Sequence, residues 1–166
     1  IEEFQIRDKE VISNTSQLRW SEKDKGHFTV NSAGTKAFVG FAPGQWHTLG
    51  DVKMRTSNEF AVIYLSSLAK EKGIAEADQL LVTTIARAVN TGMEYQGDKL
   101  AKTGQAPVLM EPVTLDLQLD GSKKYKVTLL DHVGTPTSES FVASGKRIKL
   151  DGGKHKAIYY LLEEVE

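Results

Sequence analysis

Apolar and polar side chains alternate in short runs along most of the chain. The clearest run covers residues 113–120, and its apolar positions are Val113, Leu115, Leu117 and Leu119. A period of two places every apolar side chain on one face of a strand. We therefore predict a strand here, with one buried face and one face in contact with solvent.

Two pairs of such runs are joined by turn residues. Residues 113–120 and 124–130 meet at an Asp-Gly turn sequence that begins at position 120. Residues 146–150 and 156–162 flank an Asp-Gly-Gly sequence near the end of the chain. Because such pairs favour tight turns between antiparallel strands, each pair of runs is predicted to form a β-hairpin.

Six further runs in the first half of the chain predict strands for the same reason. They are residues 10–13, 17–20, 27–31, 36–41, 51–56 and 59–66. Within the last of these, residues 60–65 are apolar at every position, which is typical of a central strand covered on both sides. Sheets are therefore predicted to pack face to face.

Residues 74–89 carry signals for both helix and strand. The residues at helical spacing are Ala77, Leu81, Ile85 and Ala88, and Asp78 is suited to cap a first turn. Against a helix, residues 80–85 are rich in β-branched side chains, which helices accept poorly. We predict a strand in this segment, preceded by one helical turn at residues 69–73 that the final glycine closes.

These elements predict an all-β fold with little helix. Roughly ten short strands without a long helix favour an antiparallel two-sheet β-sandwich of jelly-roll-like type. A single sheet closed into a barrel is the alternative. No repeat, low-complexity tract or linker divides the chain, so residues 1–166 are predicted to form one module.

Composition and charge limit the classes of partner. The 166 residues are 40% hydrophobic and 26% charged, which is typical of a globular domain. The 21 basic and 22 acidic side chains give a net charge of −1. A chain without a basic excess is not expected to bind nucleic acid or an anionic membrane. The absence of cysteine from the sequence excludes disulfides and thiolate metal sites.

Catalytic and metal-binding motifs are absent from the sequence. It contains no nucleophile elbow, phosphate-binding loop or zinc-protease motif. The four histidines are not spaced to present a pair to a metal from one strand or helix. Acids near residues 51, 120 and 131 suit a structural calcium ion without defining a set of ligands. We therefore predict no catalytic residue, no metal residue and no assignable cofactor.

Glu111 is the one acidic residue within an apolar run. A carboxyl group in such surroundings is suited to general acid catalysis when its pKa is raised. A structural ion pair is the commoner role for an acid in an apolar environment. We expect Glu111 to pair with an arginine such as Arg87 or Arg55.

Aromatic residues in loops are the strongest candidates for ligand binding. Trp46 lies in a turn-rich segment, Trp20 ends a predicted strand and Tyr95 lies in a third loop. A flat ring can stack on the apolar face of a pyranose while neighbouring amides, here Gln45 and Asn90, bond its hydroxyl groups. We predict a carbohydrate-binding site from these five residues. The alternative for each ring is that it closes the end of the core.

Four segments resemble a known class of accessory module, and they are residues 13–20, 26–41, 81–93 and 104–113. They are similar to the non-catalytic β-sandwich regions that follow the catalytic domain in some bacterial polysaccharide-degrading glycoside hydrolases. The resemblance spans roughly residues 11–113. It implies a non-catalytic module of a secreted enzyme and a binding role for Tyr95, which matches an aromatic position of those modules.

We expect a non-catalytic carbohydrate-binding module that holds a parent glycoside hydrolase on a β-linked polysaccharide. The alternative is a structural domain that packs on the parent catalytic domain without binding sugar. The chain starts at Ile1 without an initiator methionine or a signal segment, so we expect it to be excised from a longer multimodular enzyme. The expected location is secreted or at the cell surface, and the expected partners are a polysaccharide or oligosaccharide and the parent domain.

Overall fold

The protein is built almost entirely of β-strands. The computed structural model describes residues 4–41, 43–119, 121 and 123–166. The helical elements among these residues are a 3₁₀ turn (Lys23–Lys25) and one short helix, α1 (Gly152–His155), and no helix in them is long and apolar enough to cross a membrane. The strands are β1 (Phe4–Arg7), β2 (Glu10–Ser13), β3 (Leu18–Ser21), β4 (His27–Asn31), β5 (Thr35–Phe41), β6 (His47–Leu49), β7 (Val52–Thr56), β8 (Phe60–Ser67), β9 (Gln79–Ile85), β10 (Ala88–Thr91), β11 (Glu94–Gln96), β12 (Lys99–Lys102), β13 (Gln105–Met110), β14 (Thr114–Gln118), β15 (Lys124–Leu130), β16 (Pro136–Ser144), β17 (Ile148–Asp151) and β18 (Tyr159–Val165).

Two antiparallel sheets of unequal size form the body of the fold. The large sheet has ten strands in the order β1-β2-β3-β4-β5-β8-β9-β18-β15-β16, and the small sheet has four in the order β17-β14-β7-β6. Both sheets contribute to one buried cluster, which includes Phe38, Ile63 and Tyr160 from the large sheet and Met54, Leu115 and Ile148 from the small sheet. The sheets therefore share a core, and the predicted all-β fold is confirmed. In the part of the chain that the structure describes, the large sheet ends at β1 and at β16, so it is open.

Alternation located most strands to within a residue or two. Strands β2, β3, β4, β5, β7 and β8 lie where the first six runs predicted them. The ambiguous segment forms strand β9, in which alternate residues are buried. The predicted helical turn before it is a single turn in which the backbone N–H of Lys72 donates to the carbonyl of Ala69 at 3.3 Å, and it does not continue into a helix.

Both predicted hairpins are wrong. Strand β14 pairs with β7 and β17 in the small sheet, whereas β15 pairs with β16 and β18 in the large sheet. Strands β17 and β18 likewise belong to different sheets, so the chain crosses between sheets at both predicted turns. Position 120, in the first turn, lies outside the described residues. Alternation shows which face of a strand is buried, but not which sheet the strand joins, because both sheets bury one face in the same core.

The central strand β8 is buried on one face only. Ala61, Ile63 and Leu65 face the core and are fully buried, whereas Tyr64 on the opposite face is 38% exposed. The prediction that β8 is covered on both sides is therefore wrong. The small sheet packs against the inner face of the large sheet, and the outer face keeps apolar side chains that are partly in contact with solvent.

Residues 88–110, here termed the arm, form a two-stranded projection that the sequence analysis did not predict. Strand β10 pairs with β13 and β11 pairs with β12, and among the described residues neither pair joins the two main sheets. Large apolar side chains of the arm are exposed, and they are Val89, Tyr95, Leu100, Val108, Leu109 and Met110. Because an isolated two-stranded ribbon is marginally stable in water, the attachment of the arm to the body is important.

An ion pair closes the base of the arm. Nε of Arg87, just before β10, donates to Oε2 of Glu111, just after β13, at 2.7 Å. The backbone N–H of Glu111 donates to the carbonyl of Arg87 at 2.8 Å. Nδ2 of Asn58, between β7 and β8, donates to Oε1 of Glu111 at 3.1 Å. The expected pairing of Glu111 with an arginine is confirmed, and it ties the arm to the body.

The charge of Glu111 is predicted to stabilise the base of the arm in a pH-dependent way. The hydrogen bond from Arg87 lowers the pKa of Glu111 below its ordinary value. A lowered folded-state pKa gives stability that is present above the unfolded-state pKa and is lost as pH falls through the folded-state pKa. Glu111→Gln should therefore lower the urea midpoint at about pH 7, with a difference from wild type that vanishes at about pH 2.

The matched control for this measurement is Glu94→Gln. This variant removes an exposed ion pair with Lys102 on the arm but leaves the base of the arm intact. We expect it to change the urea midpoint less than Glu111→Gln does at neutral pH. Equal effects of the two variants, or a Glu111→Gln effect that is independent of pH, would contradict the role of the carboxylate.

Candidate functional site

The inner face of the large sheet is polar where it approaches the edge strand of the small sheet. On β4 the residues His27, Thr29 and Asn31 share one face, because they alternate with apolar residues. The pairing of β2 with β3 and of β3 with β4 puts Glu10 and Arg19 on the same face. Three neighbouring strands therefore present carboxylate, guanidinium, imidazole, hydroxyl and amide groups side by side.

A cleft of about 280 Å³ lies between this polar face and strand β6, and it is termed the β4–β6 cleft. Gln17 lines one side of it, and Trp46 and Thr48 line the side formed by β6 and the residue before it. Trp46 contributes the largest ring of the lining. The cleft thus combines many hydrogen-bonding groups with one indole.

Trp46 is held in place by an arginine. Its side chain is 39% exposed, and Cζ of Arg55 lies 4.6 Å from the ring centroid, which is a cation–π contact. Nε and Nη2 of Arg55 both donate to Oδ2 of Asp116, with Nε at 3.1 Å. Nζ of Lys149 lies 3.8 Å from Oδ1 of the same carboxylate. Arg55 itself is not among the residues that line the cleft.

Asn31 has a fixed orientation at the cleft. Nζ of Lys36, which is buried, donates to Oδ1 of Asn31 at 2.7 Å. Nζ also lies 3.7 Å from Oδ1 of Asp51. Because the amide oxygen of Asn31 accepts from the lysine, its NH₂ group is the part available to donate to a ligand.

Two histidines that are distant in sequence meet in the lining of the cleft. The ring centroids of His27 and His47 are 5.4 Å apart, and His47 stacks on Phe38 of the core at 4.1 Å. Sequence spacing did not predict this proximity. Within the described ranges, no group of three or more histidine, cysteine or acidic side chains is arranged to hold a metal ion.

The five residues predicted to bind sugar do not form one site. Trp46 lies at the β4–β6 cleft, and Gln45 precedes it with an exposed side chain. Trp20 lies on the outer face of the large sheet, opposite the cleft. Tyr95 and Asn90 lie on the arm, where Nδ2 of Asn90 donates to the carbonyl of Thr103 at 2.9 Å. Trp46 is therefore the one of the five predicted residues that lines the cleft.

The polar residues of the cleft were missed by the sequence analysis. Glu10, Arg19, Thr29 and Asn31 come from three strands, and none stands out alone. A usable signal was present in β3 and β4, because residues 17–21 and 27–31 are polar at every second position; β2 gives no such signal, since Ile12 shares the face of Glu10. Only the pairing of β2, β3 and β4 shows that these polar positions lie on a common face.

The outer face of the large sheet carries a row of apolar side chains across six adjacent strands. Cross-strand pairing aligns Val11, Trp20, Phe28, Val39, Val62 and Ile85. Trp20 is 43% exposed. This surface, termed the outer apolar face, continues toward β18, where a shallow depression of about 450 Å³ is lined by residues such as Leu81 and Leu161.

The cation–π contact is predicted to protect Trp46. In a Trp20→Phe background, Trp46 is the remaining tryptophan, and Arg55→Gln removes the guanidinium from its ring. We expect stronger quenching of Trp46 fluorescence by acrylamide and a loss of about 0.5–1 kcal/mol in the free energy of unfolding. Lys149→Gln is the control, because it changes a contact of Asp116 without touching the ring. Unchanged quenching in Arg55→Gln would show that the guanidinium does not cover the indole.

Comparison of the chain with protein-family models, curated proteins and solved structures found no match. The basis for assigning a function is therefore the chemistry of the residues themselves. The two surfaces that carry this chemistry are the β4–β6 cleft and the outer apolar face.

Proposed function

We propose that the chain is a non-catalytic carbohydrate-binding module and that the β4–β6 cleft is its binding site. The observation that carries this proposal is the placement of the Trp46 indole beside a dense set of hydrogen-bonding groups. A sugar ring has apolar C–H faces and a rim of hydroxyl groups. A site with one fixed aromatic ring and several polar groups at its side complements both parts of such a ligand.

The polar groups of the cleft match the hydroxyl groups of a sugar in both directions. Arg19 and the NH₂ group of Asn31 donate hydrogen bonds, Glu10 accepts them, and the hydroxyls of Thr29 and Thr48 do either. Each sugar hydroxyl likewise donates one bond and accepts others. Several of these side chains are held by neighbouring strands or by Lys36, so little conformational entropy is lost when a ligand binds.

The lining of the cleft supports binding rather than glycoside hydrolysis. Hydrolysis of a glycosidic bond uses a pair of carboxyl groups on either side of the scissile bond. Glu10 is the one carboxylate among the described residues that line the cleft. We therefore assign recognition of the polysaccharide to this module and its cleavage to a catalytic domain of the same enzyme, secreted or at the cell surface.

The proposal predicts modest affinity that depends on Trp46. An open cleft with one ring favours a Kd on the order of micromolar to millimolar. Affinity electrophoresis of the chain against xylan, mannan, β-glucan, agar and pectin should show retardation on at least one of them. Trp46→Ala should weaken the affinity roughly tenfold or more, because it removes one buried aromatic contact.

Trp20→Ala is the matched control for this experiment. It removes the same kind of side chain from the opposite face of the large sheet, and it should leave retardation unchanged. Circular dichroism checks that both variants are folded. An absence of retardation on every polysaccharide would refute sugar binding, and equal losses in the two variants would place the site elsewhere.

A second candidate function is supported by the outer apolar face. Its row of six apolar side chains spans adjacent strands, and contiguous apolar surface of this kind marks an interface with another protein or domain. We propose the parent catalytic domain as the partner, since the resemblance of the sequence is to modules that follow such a domain. The arm also exposes apolar side chains, including Tyr95 and Leu100.

This second candidate predicts that the isolated chain exposes a hydrophobic surface. The dye 8-anilinonaphthalene-1-sulfonate should bind the chain, and the double variant Trp20→Ser, Tyr64→Ser should bind several-fold less dye, since it removes exposed rings from the outer apolar face. Trp46→Ala serves as the reciprocal control and should bind dye as wild type does. A monomer that binds no dye would contradict this function.

A further inference from the structure

The charged groups at the β4–β6 cleft are matched with one another. Nη1 of Arg19 lies 3.8 Å from Oε2 of Glu10, and Nζ of Lys23 lies 3.7 Å from Oε1 of the same carboxylate. Lys23 also lies 3.3 Å from Asp8. Arg19 and Lys23 are therefore accompanied by the carboxylates of Glu10 and Asp8. Glu10 is the less exposed of the two carboxylates, and it lies between Arg19 and Lys23.

Two further cations near the cleft, Lys36 and Arg55, are also compensated, and Arg55 is paired with Asp116. Nζ of Lys36 is 3.7 Å from Asp51 and donates to the amide oxygen of Asn31. Its side chain is 8% exposed, so it is covered by protein and bonded to partners. Gln17, Thr29 and Thr48, which also line the cleft, carry uncharged hydrogen-bonding groups.

This arrangement opposes charged ligands of either sign. A uronate or sulfate group that approaches Arg19 also approaches the carboxylate of Glu10, and like charges at close range disfavour binding. An ammonium group that approaches Glu10 meets Arg19 and Lys23 in the same way. Uncharged hydroxyl groups bond to either member of the pair without such repulsion.

We propose that the β4–β6 cleft recognises uncharged sugar units and excludes uronic acids, sulfated sugars and sugars with a free ammonium group. This inference rests on the proposed carbohydrate binding and names its ligand class. The cleft volume of about 280 Å³ lies just below the roughly 300–1,000 Å³ of small-molecule sites. The cleft therefore holds one or two sugar rings rather than a long stretch of polysaccharide.

The test compares neutral and acidic oligosaccharides of equal length. Isothermal titration at about pH 8, at which a free imidazole is uncharged, is performed with xylo-, manno- and cello-oligosaccharides and with oligogalacturonates. We expect binding of at least one neutral series, with a Kd that changes less than about twofold between about 50 mM and 500 mM NaCl, because no ionic attraction is screened. Oligogalacturonates should not bind measurably.

A charge variant sharpens the test. Glu10→Gln leaves Arg19 and Lys23 without their shared carboxylate, so it should bind oligogalacturonates measurably at about 50 mM NaCl and lose that binding at about 500 mM NaCl. Glu94→Gln is the matched control, because it makes the same substitution and the same change in net charge at an exposed residue of the arm that does not line the cleft. It should not gain binding of acidic sugars.

The outcomes separate this inference from the function on which it rests. Salt-sensitive binding of oligogalacturonates by the wild-type chain would overturn the exclusion of charged sugars while leaving sugar binding intact. An absence of binding to every series would overturn both. If Glu10→Gln does not fold, the wild-type comparison of neutral with acidic sugars and its salt dependence still decides the inference.

Discussion

Burial of apolar side chains between two sheets of unequal size determines how the rest of the molecule is arranged. Four strands of the small sheet face ten strands of the large sheet, so part of the large sheet cannot be covered. Where it is covered, as at Ile63 and Leu80, the inner side chains are apolar and buried. Near the edge strand β6 they become polar, as at Arg19 and Asn31. The cleft forms at this border, because a polar group stays hydrated there while its strand holds it in place.

The sequence predicted the strands better than their partners. The bounds of β4 match the prediction, because alternation is a local property of five residues. Pairing is not local, and the strands on either side of each predicted turn join different sheets while burying one face in the same core. The arm was missed because its alternation is interrupted by register shifts after Asn90 and after Glu94, and such bulges break a period of two.

Of the residues that line the candidate site, the sequence predicted only Trp46. Trp46 stands out because a large ring in a turn-rich segment has no alternating neighbours to bury it. Glu10 and Arg19 look like ordinary surface charges until the register of β2, β3 and β4 is known. Trp20 shows how much depends on register, since a shift of one residue in β3 would move its ring from the outer face to the cleft.

The two proposed functions use opposite faces of the same strands and are therefore compatible. On β3, Arg19 points into the cleft and Trp20 points to the outer apolar face, because successive side chains of a strand alternate. A domain packed on the outer face would cover Trp20 and leave Arg19 free to bind a ligand. It would also stiffen β2, β3 and β4, which carry much of the polar cleft lining, so packing would reduce the entropy that the cleft loses on binding. Attachment to a neighbouring domain and recognition of a sugar would then support each other.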